Sequence, residues 1–208
     1  MTSLPQNIIL ASGSAVRATL MRGAHIPFKQ VPADLDESVL KQKLENDPAS
    51  QTEHGAGPAI AVALAKAKAE QVSAANPQAL VIGADQVMTL GTACYDKPKD
   101  MVEARARLQQ FRGHPHVLHA GVALAVAGKT IWHHYQPSHL TMRTFSDAFL
   151  DAYLAQAGEA VLASVGAYQL EGIGAQLFDK IDGDYFSILG LPMLPLMDEL
   201  RRHGAIAT

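Results

Sequence analysis

One cysteine, Cys94, occurs in 208 residues, so no internal disulfide can form, and the sequence offers it no partner for nucleophilic chemistry. It is read as chemically inert. Patterned charge is missing as well. The net charge is −3 with no block of like sign, which excludes the electrostatic footprint of a nucleic-acid polymer binder or of a protein held on an anionic membrane. An anionic ligand must then be held by a local cluster of cations. No segment approaches the length that crosses a bilayer, residues 1–6 carry no basic stretch, and Ser12 and Ser14 break the early apolar run, so a cytoplasmic protein is expected. No internal repeat or low-complexity segment is present, and the length suits a single domain over 1–208.

The most informative stretch is Ala79-Leu80-Val81-Ile82-Gly83-Ala84-Asp85-Gln86-Val87-Met88-Thr89-Leu90, which reads as a strand covered on both faces. An ionised Asp there costs several kcal/mol unless it is paired or metal-bound. Period-two geometry puts Asp85 on the face of Gly83 and Val87, and Gln86 on the face of Ala84 and Met88. For both to touch one ligand, the strand is expected to end or bulge at this point, with Gly83 admitting a close approach. An Asp satisfied by a neighbouring Lys or by loop amides remains the plain alternative.

Around this strand the chain places charge at element ends. A short strand at 7–11 leads through Ser12-Gly13-Ser14 into a helix over 15–22, with Ser14 as N-cap and Gly23 just past the end. Arg17 lies in the first turn, where the helix dipole favours an acid. A cation there suits either an anion at the helix N-terminus or an ordinary surface position. A second strand is expected over 26–31, and Asp34, Asp36 and Glu37 follow, as oxygen ligands for a hard cation or as a solvated cap. Residues 46–58 read as a loop. In the alanine-rich helix 59–75, Lys68 takes a place in the stripe of Ile60, Leu64 and Val72, to be used in a site or to snorkel outward. Lys97 and Lys99 precede a helix over 101–112 capped by Asp100 and Glu103. A hairpin over 117–142 turning at Gly128-Lys129, a helix over 146–155, a glycine-rich stretch over 166–192 and a helix over 193–203 complete the chain. The nine histidines lack the spacing of a zinc site.

Arg17, Lys68, Lys97, Glu37 and Asp85 thus form a set suited to a polyphosphate and its divalent metal. Ile9-Leu10-Ala11-Ser12-Gly13-Ser14-Ala15-Val16-Arg17 resembles the opening I-L-A-S-x-S-P-x-R of the Maf-type nucleoside triphosphate pyrophosphatases. The resemblance continues through Asp36-Glu37, Leu64 to Ala69, Gly83 to Val87, Lys97-Pro98, Gly166 to Gly174, and Gly183-Asp184-Tyr185 to Gly190-Leu191-Pro192.

It implies an α/β fold, a mixed twisted sheet flanked by helices, like that of inosine triphosphatase, with two lobes around a central cleft. It implies hydrolysis of a nucleoside triphosphate to the monophosphate and pyrophosphate, with Mg²⁺ or Mn²⁺, in a cytosolic homodimer. By position, Asp85 takes the proton-acceptor role and shares the metal with Glu37, while Ser12, Ser14, Arg17, Lys68 and Lys97 surround the phosphates. Three positions depart from the pyrimidine-preferring pattern: Ala15-Val16, Gln86 and Glu171. The last two resemble the branch acting on 7-methyl-GTP, whose frequent Trp at the second place of the opening motif is here Val16. A Glu171 carboxylate suits the adjacent N1–H and N2–H₂ donors of guanine, whereas Gln suits uracil or thymine. A broad or dTTP- and UTP-preferring pyrophosphatase, and a nucleotide-binding regulator of septum formation with little turnover, are the competing expectations.

Overall fold

The computed structural model describes residues 7–207; the opening stretch 1–6 considered above lies outside them. The chain runs through β1 (Ile8–Leu10), α1 (Ala15–Gly23), β2 (Lys29–Gln30), α2 (Glu37–Glu45), α3 (Gly57–Ala75), β3 (Leu80–Leu90) and β4 (Ala93–Tyr95). It continues through α4 (Met101–Phe111), β5 (Pro115–Val126), β6 (Lys129–Met142), α5 (Asp147–Ala157), β7 (Phe178–Asp182), α6 (Tyr185–Ile188) and α7 (Met193–Arg202). One seven-stranded sheet, ordered β2-β1-β3-β5-β6-β7 with β4 also on β3, carries the fold. β1 pairs in parallel with β2 and β3, and the remaining pairings are antiparallel. This is the mixed α/β sheet expected.

Helices cover both faces of β3. On the face of Gly83 and Asp85 lies α3, brought close because its Ala65 and Ala69 meet Ala123 and Ala125 of the sheet. Two glycines complete this contact: a Cβ on Gly83 would overlap the Ala65 carbonyl oxygen, and one on Gly121 the Ala61 carbonyl oxygen. The opposite face holds two apolar clusters. Ile82 and Ala84 pack with Met21 of α1 and Leu196 and Leu200 of α7, while Met88 packs with Leu108 and Phe111 of α4 and Leu150 and Leu154 of α5.

Several boundaries differ from the sequence expectation. Ser14 accepts from the Arg17 amide as N-cap, yet Gly23 is the last helical residue and the left-handed position falls on His25, φ 53°. The strand expected over 26–31 pairs only at Lys29 and Gln30, because β1 offers a partner there for just Ile9 and Leu10. The hairpin turn sits one residue earlier, at Ala127 and Gly128 with φ of 50° and 79°, the conformation that follows the right-handed strand twist.

The close helix–sheet contact gives a stability test. Gly83→Ala must push α3 off the sheet, at a cost of about 1–3 kcal/mol, which lowers the melting temperature by roughly 2–4 °C per kcal/mol in a chain of this size. Scanning calorimetry showing an unchanged melting temperature would refute the tight approach of α3 at this point.

Candidate active site

β3 is shared unevenly along one edge. β1 pairs with it only as far as Leu10 opposite Ile82, and β4 begins only at Tyr95 opposite Met88. Residues 83–87 therefore have no partner strand on that edge, while on the other edge the register with β5 runs unbroken from Val81 to Thr89. The expected strand end or bulge at Asp85 is thus corrected: β3 runs straight through, and a gap between its two edge partners admits ligand to side chains of both faces. A cleft of about 670 Å³ opens there, and all ten residues singled out from the sequence line it.

Arg17 reaches across the gap from the first turn of α1. Its Nε donates to the Gly190 carbonyl at 2.7 Å, and one terminal nitrogen donates to the Ala84 carbonyl and Ser12 Oγ, both at 3.0 Å. Burial lowers its pKa, offset by the charges of Asp85 and Glu37, and the guanidinium stays charged. The plain surface reading of Arg17 does not hold. Ser12 is buried and also accepts from the Ser14 amide, while Gln30 of β2 donates to the Ser12 carbonyl at 2.8 Å and braces the loop.

On the α3 face, Lys68 Nζ bonds Asp85 Oδ1 at 2.6 Å and Glu37 Oε1 at 2.8 Å. The lysine in the apolar stripe is therefore not snorkelling. Asp85 is 8% exposed, and burial raises its pKa; Lys68 and Arg17 pull it back and Glu37 adds to the rise. Asp36 caps α2 by accepting from the Ser38 amide, which leaves Glu37 pointing to the cleft. Lys41, one turn further along α2, bonds Asp96 Oδ1 at 2.6 Å. Burial lowers the Lys41 pKa, but the hydrogen bond and charge of Asp96, with Glu37 and Asp85, raise it on balance. Lys97 follows Asp96 and is exposed on the cleft wall.

Gln86 faces the other way, between the two apolar clusters, and its amide donates to the Ser187 and Ile188 carbonyls of α6, both at 3.0 Å. Its donors hold α6, so what it turns toward a ligand is its carbonyl oxygen. Glu171 is exposed on the far wall and Val16 is half-buried at the start of α1.

Sequence reading missed Lys41, Asp96, Arg107 and the Gly190 carbonyl. Lys41 stands four residues after Glu37, a same-face spacing that signals it. Arg107 is buried and donates to the carbonyls of Asp96 and Val165, tying the Lys97 loop to the wall that carries Glu171. The buried histidines serve the core: His116 Nε2 pairs with the Tyr168 hydroxyl at 2.8 Å, and His119 lies between Thr89 and Tyr135. Burial lowers both to a pKa of about 4. Among the described residues no three His, Cys, Asp or Glu side chains are grouped to hold a metal ion. Burial first, then Glu45 and Asp96, raise the pKa of the Cys94 thiol.

A mixed sheet with a cleft at a gap in its central strand, lined by four cations and four carboxylates, defines an α/β protein with its candidate site at that gap. The chain belongs to the Maf family: the Maf-like protein family matches residues 7–203. A protein of Maricaulis maris named nucleoside triphosphate pyrophosphatase is 51% identical over 199 residues, 95% of this chain and 97% of its own. Two proteins named 7-methyl-GTP pyrophosphatase, from Rhizobium meliloti and Brucella suis, are each 48% identical over 200 residues, 96% of this chain and 97% of theirs.

The two carbonyls that Gln86 holds set a test. Gln86→Thr cannot span to both, so stability falls by about 1–3 kcal/mol through unpaired backbone acceptors. Denaturant unfolding that shows no loss would mean that α6 does not depend on this residue.

Proposed function

We propose that this protein hydrolyses the bond between the α- and β-phosphates of a nucleoside triphosphate, releasing the monophosphate and pyrophosphate in the cytosol, with 7-methyl-GTP as the preferred substrate. The observation that carries the reading is the Asp85–Lys68–Glu37 cluster beside Arg17 at the gap in β3, in a chain about half identical to proteins named as such pyrophosphatases. Asp85 is the proton acceptor for the attacking water. Burial raises its pKa, which gives it more basicity than an ordinary carboxylate. Lys68 fixes the carboxylate that it touches. Arg17, aimed by the Gly190 and Ala84 carbonyls, and Lys97 stabilise charge on the phosphates, and the α1 N-terminus behind Ser12 and Ser14 adds its dipole.

Four cations, Arg17, Lys41, Lys68 and Lys97, and four carboxylates, Glu37, Asp85, Asp96 and Glu171, line the cleft. Their formal charges cancel, so a triphosphate entering the cleft calls for further positive charge. Asp85 and Glu37, hard oxygen donors sharing one cationic partner, are suited to hold Mg²⁺ or Mn²⁺ together with phosphate oxygens. The ion supplies charge neutralisation and polarises water or phosphoryl oxygen when bound. A homodimer is proposed on the family resemblance alone.

Glu171 is exposed, so its attraction for the cationic methylguanine base is worth about 1 kcal/mol, less than a pair shielded from water. Its two acceptor contacts to N1–H and N2–H₂ set the preference. The Glu171→Gln variant is expected to lower kcat/KM for 7-methyl-GTP by roughly fivefold relative to UTP. A wild type that prefers UTP or dTTP, or a variant that affects 7-methyl-GTP, GTP, UTP and dTTP alike, removes the methylguanine preference and leaves the pyrophosphatase reading.

Asp85→Asn separates chemistry from folding. Because the folded-state pKa is raised, the stability this group contributes is full below about pH 4, the ordinary value, and is lost as pH rises through the folded value. Asparagine removes that loss. The variant is expected to lose roughly a hundred- to ten-thousandfold in turnover while melting no lower than wild type at neutral pH and gaining nothing under acid conditions. Pyrophosphate release within about threefold of wild type would take Asp85 out of the mechanism.

A further inference from the structure

The cluster at the gap extends into a chain of alternating charge that leaves the cleft floor. From Asp85 it passes through Lys68 and Glu37 to Lys41, whose Nζ lies 3.8 Å from Glu37 Oε2 and 2.6 Å from Asp96 Oδ1. Lys41 and Asp96 belong to different elements. One is on α2, a helix with no fully buried residue that rests on α3 through Leu40 and Leu44; the other immediately precedes Lys97 on the β4–α4 loop. The Lys41 side chain is 25% exposed and that of Asp96 78%, so their bond lies at the cleft where water reaches it. An ion pair so exposed contributes little to stability. It does hold a cation at the cleft with its charge cancelled.

We propose that Lys41 is a further phosphate-binding residue, parked on Asp96 and transferred to the outer phosphates, those leaving as pyrophosphate, when substrate enters; this rests on the pyrophosphatase reading above. The assignment to the outer phosphates follows from position, since Lys41 stands beyond Lys68 and Glu37 from Asp85. No covalent change is involved. One hydrogen-bonded ion partner replaces another, and α2, held to the β4–α4 loop through Lys41, is drawn onto the ligand instead.

A strut and a parked ligand group make opposite forecasts. If the pair merely braces the walls, Lys41→Ala and Asp96→Asn break the same bond and act alike. If Lys41 serves the phosphates, Lys41→Ala weakens binding of inorganic pyrophosphate by about tenfold, Asp96→Asn releases the lysine and tightens it several-fold, and the double variant behaves as Lys41→Ala. The measurement is calorimetric binding of pyrophosphate with Mg²⁺ to the full chain, alongside kcat/KM, with Lys41→Gln as a second truncation and melting temperatures as the folding control. Equal weakening in both single variants, or Lys41→Ala and Lys41→Gln within about twofold of wild type, overturns the proposal. A wild type that hydrolyses no nucleoside triphosphate overturns the function itself, whereas hydrolysis that persists unchanged in both Lys41 variants overturns only the role given to Lys41.

Discussion

The gap between β1 and β4 along a single edge of β3 is the constraint on which the site depends. A strand buried on both faces must normally satisfy its backbone through neighbours on both edges. Here β1 stops at Ile82 and β4 starts at Met88, and the backbone between them is served in part by Arg17, which takes the Ala84 carbonyl. A side chain does the work of a missing strand. The same geometry resolves a conflict in the sequence, because Asp85 and Gln86 point to opposite faces and yet border one cleft. No break in β3 is needed when the neighbouring edge is open.

Energetics follow from that placement. Asp85 is carried on a central strand and Lys68 on a helix packed tightly through Gly83, so both are fixed before any ligand arrives. Burial works against the charged carboxylate, and Lys68 and Arg17 only partly compensate. The protein thereby keeps a group that is unfavourable for folding and, on the proposed reading, serves as a base, a trade common where activity needs a destabilised site. The pairing of charges in the cleft limits this cost, since Asp96 is bonded to Lys41 and Asp85 and Glu37 share Lys68.

Much of this was legible in the sequence, and for identifiable reasons. Lys68 stood out because it interrupts an apolar stripe of period four, and Arg17 because it opposes the dipole of its own helix. Both signals are local, and both residues lie in the cleft. The fold class was what the family resemblance implied, and the mixed sheet bears it out. What stayed hidden depends on distant partners. The Gly190 carbonyl that aims Arg17 is 173 positions away, and Arg107 looks like any helical arginine until the Asp96 and Val165 carbonyls converge on it. Gly23 misled because the left-handed residue after α1 is His25, a conformation that composition assigns to glycine. The role of Gln86 was half legible: its face was read correctly, but the two carbonyls of α6 that occupy its donors were not.

On the proposed reading, chemistry and specificity are built on different kinds of support. Arg17, Lys68, Asp85 and Glu37 hold one another or the backbone beneath them, so changing one alters the surroundings of the others. Glu171 sits exposed in the irregular stretch between α5 and β7, where a substitution disturbs little besides the ligand. Arg107 anchors that stretch at Val165, close enough to keep the wall in place without fixing what Glu171 presents. On the proposed reading, nucleotide preference can therefore shift by single changes at the wall while the floor remains constant.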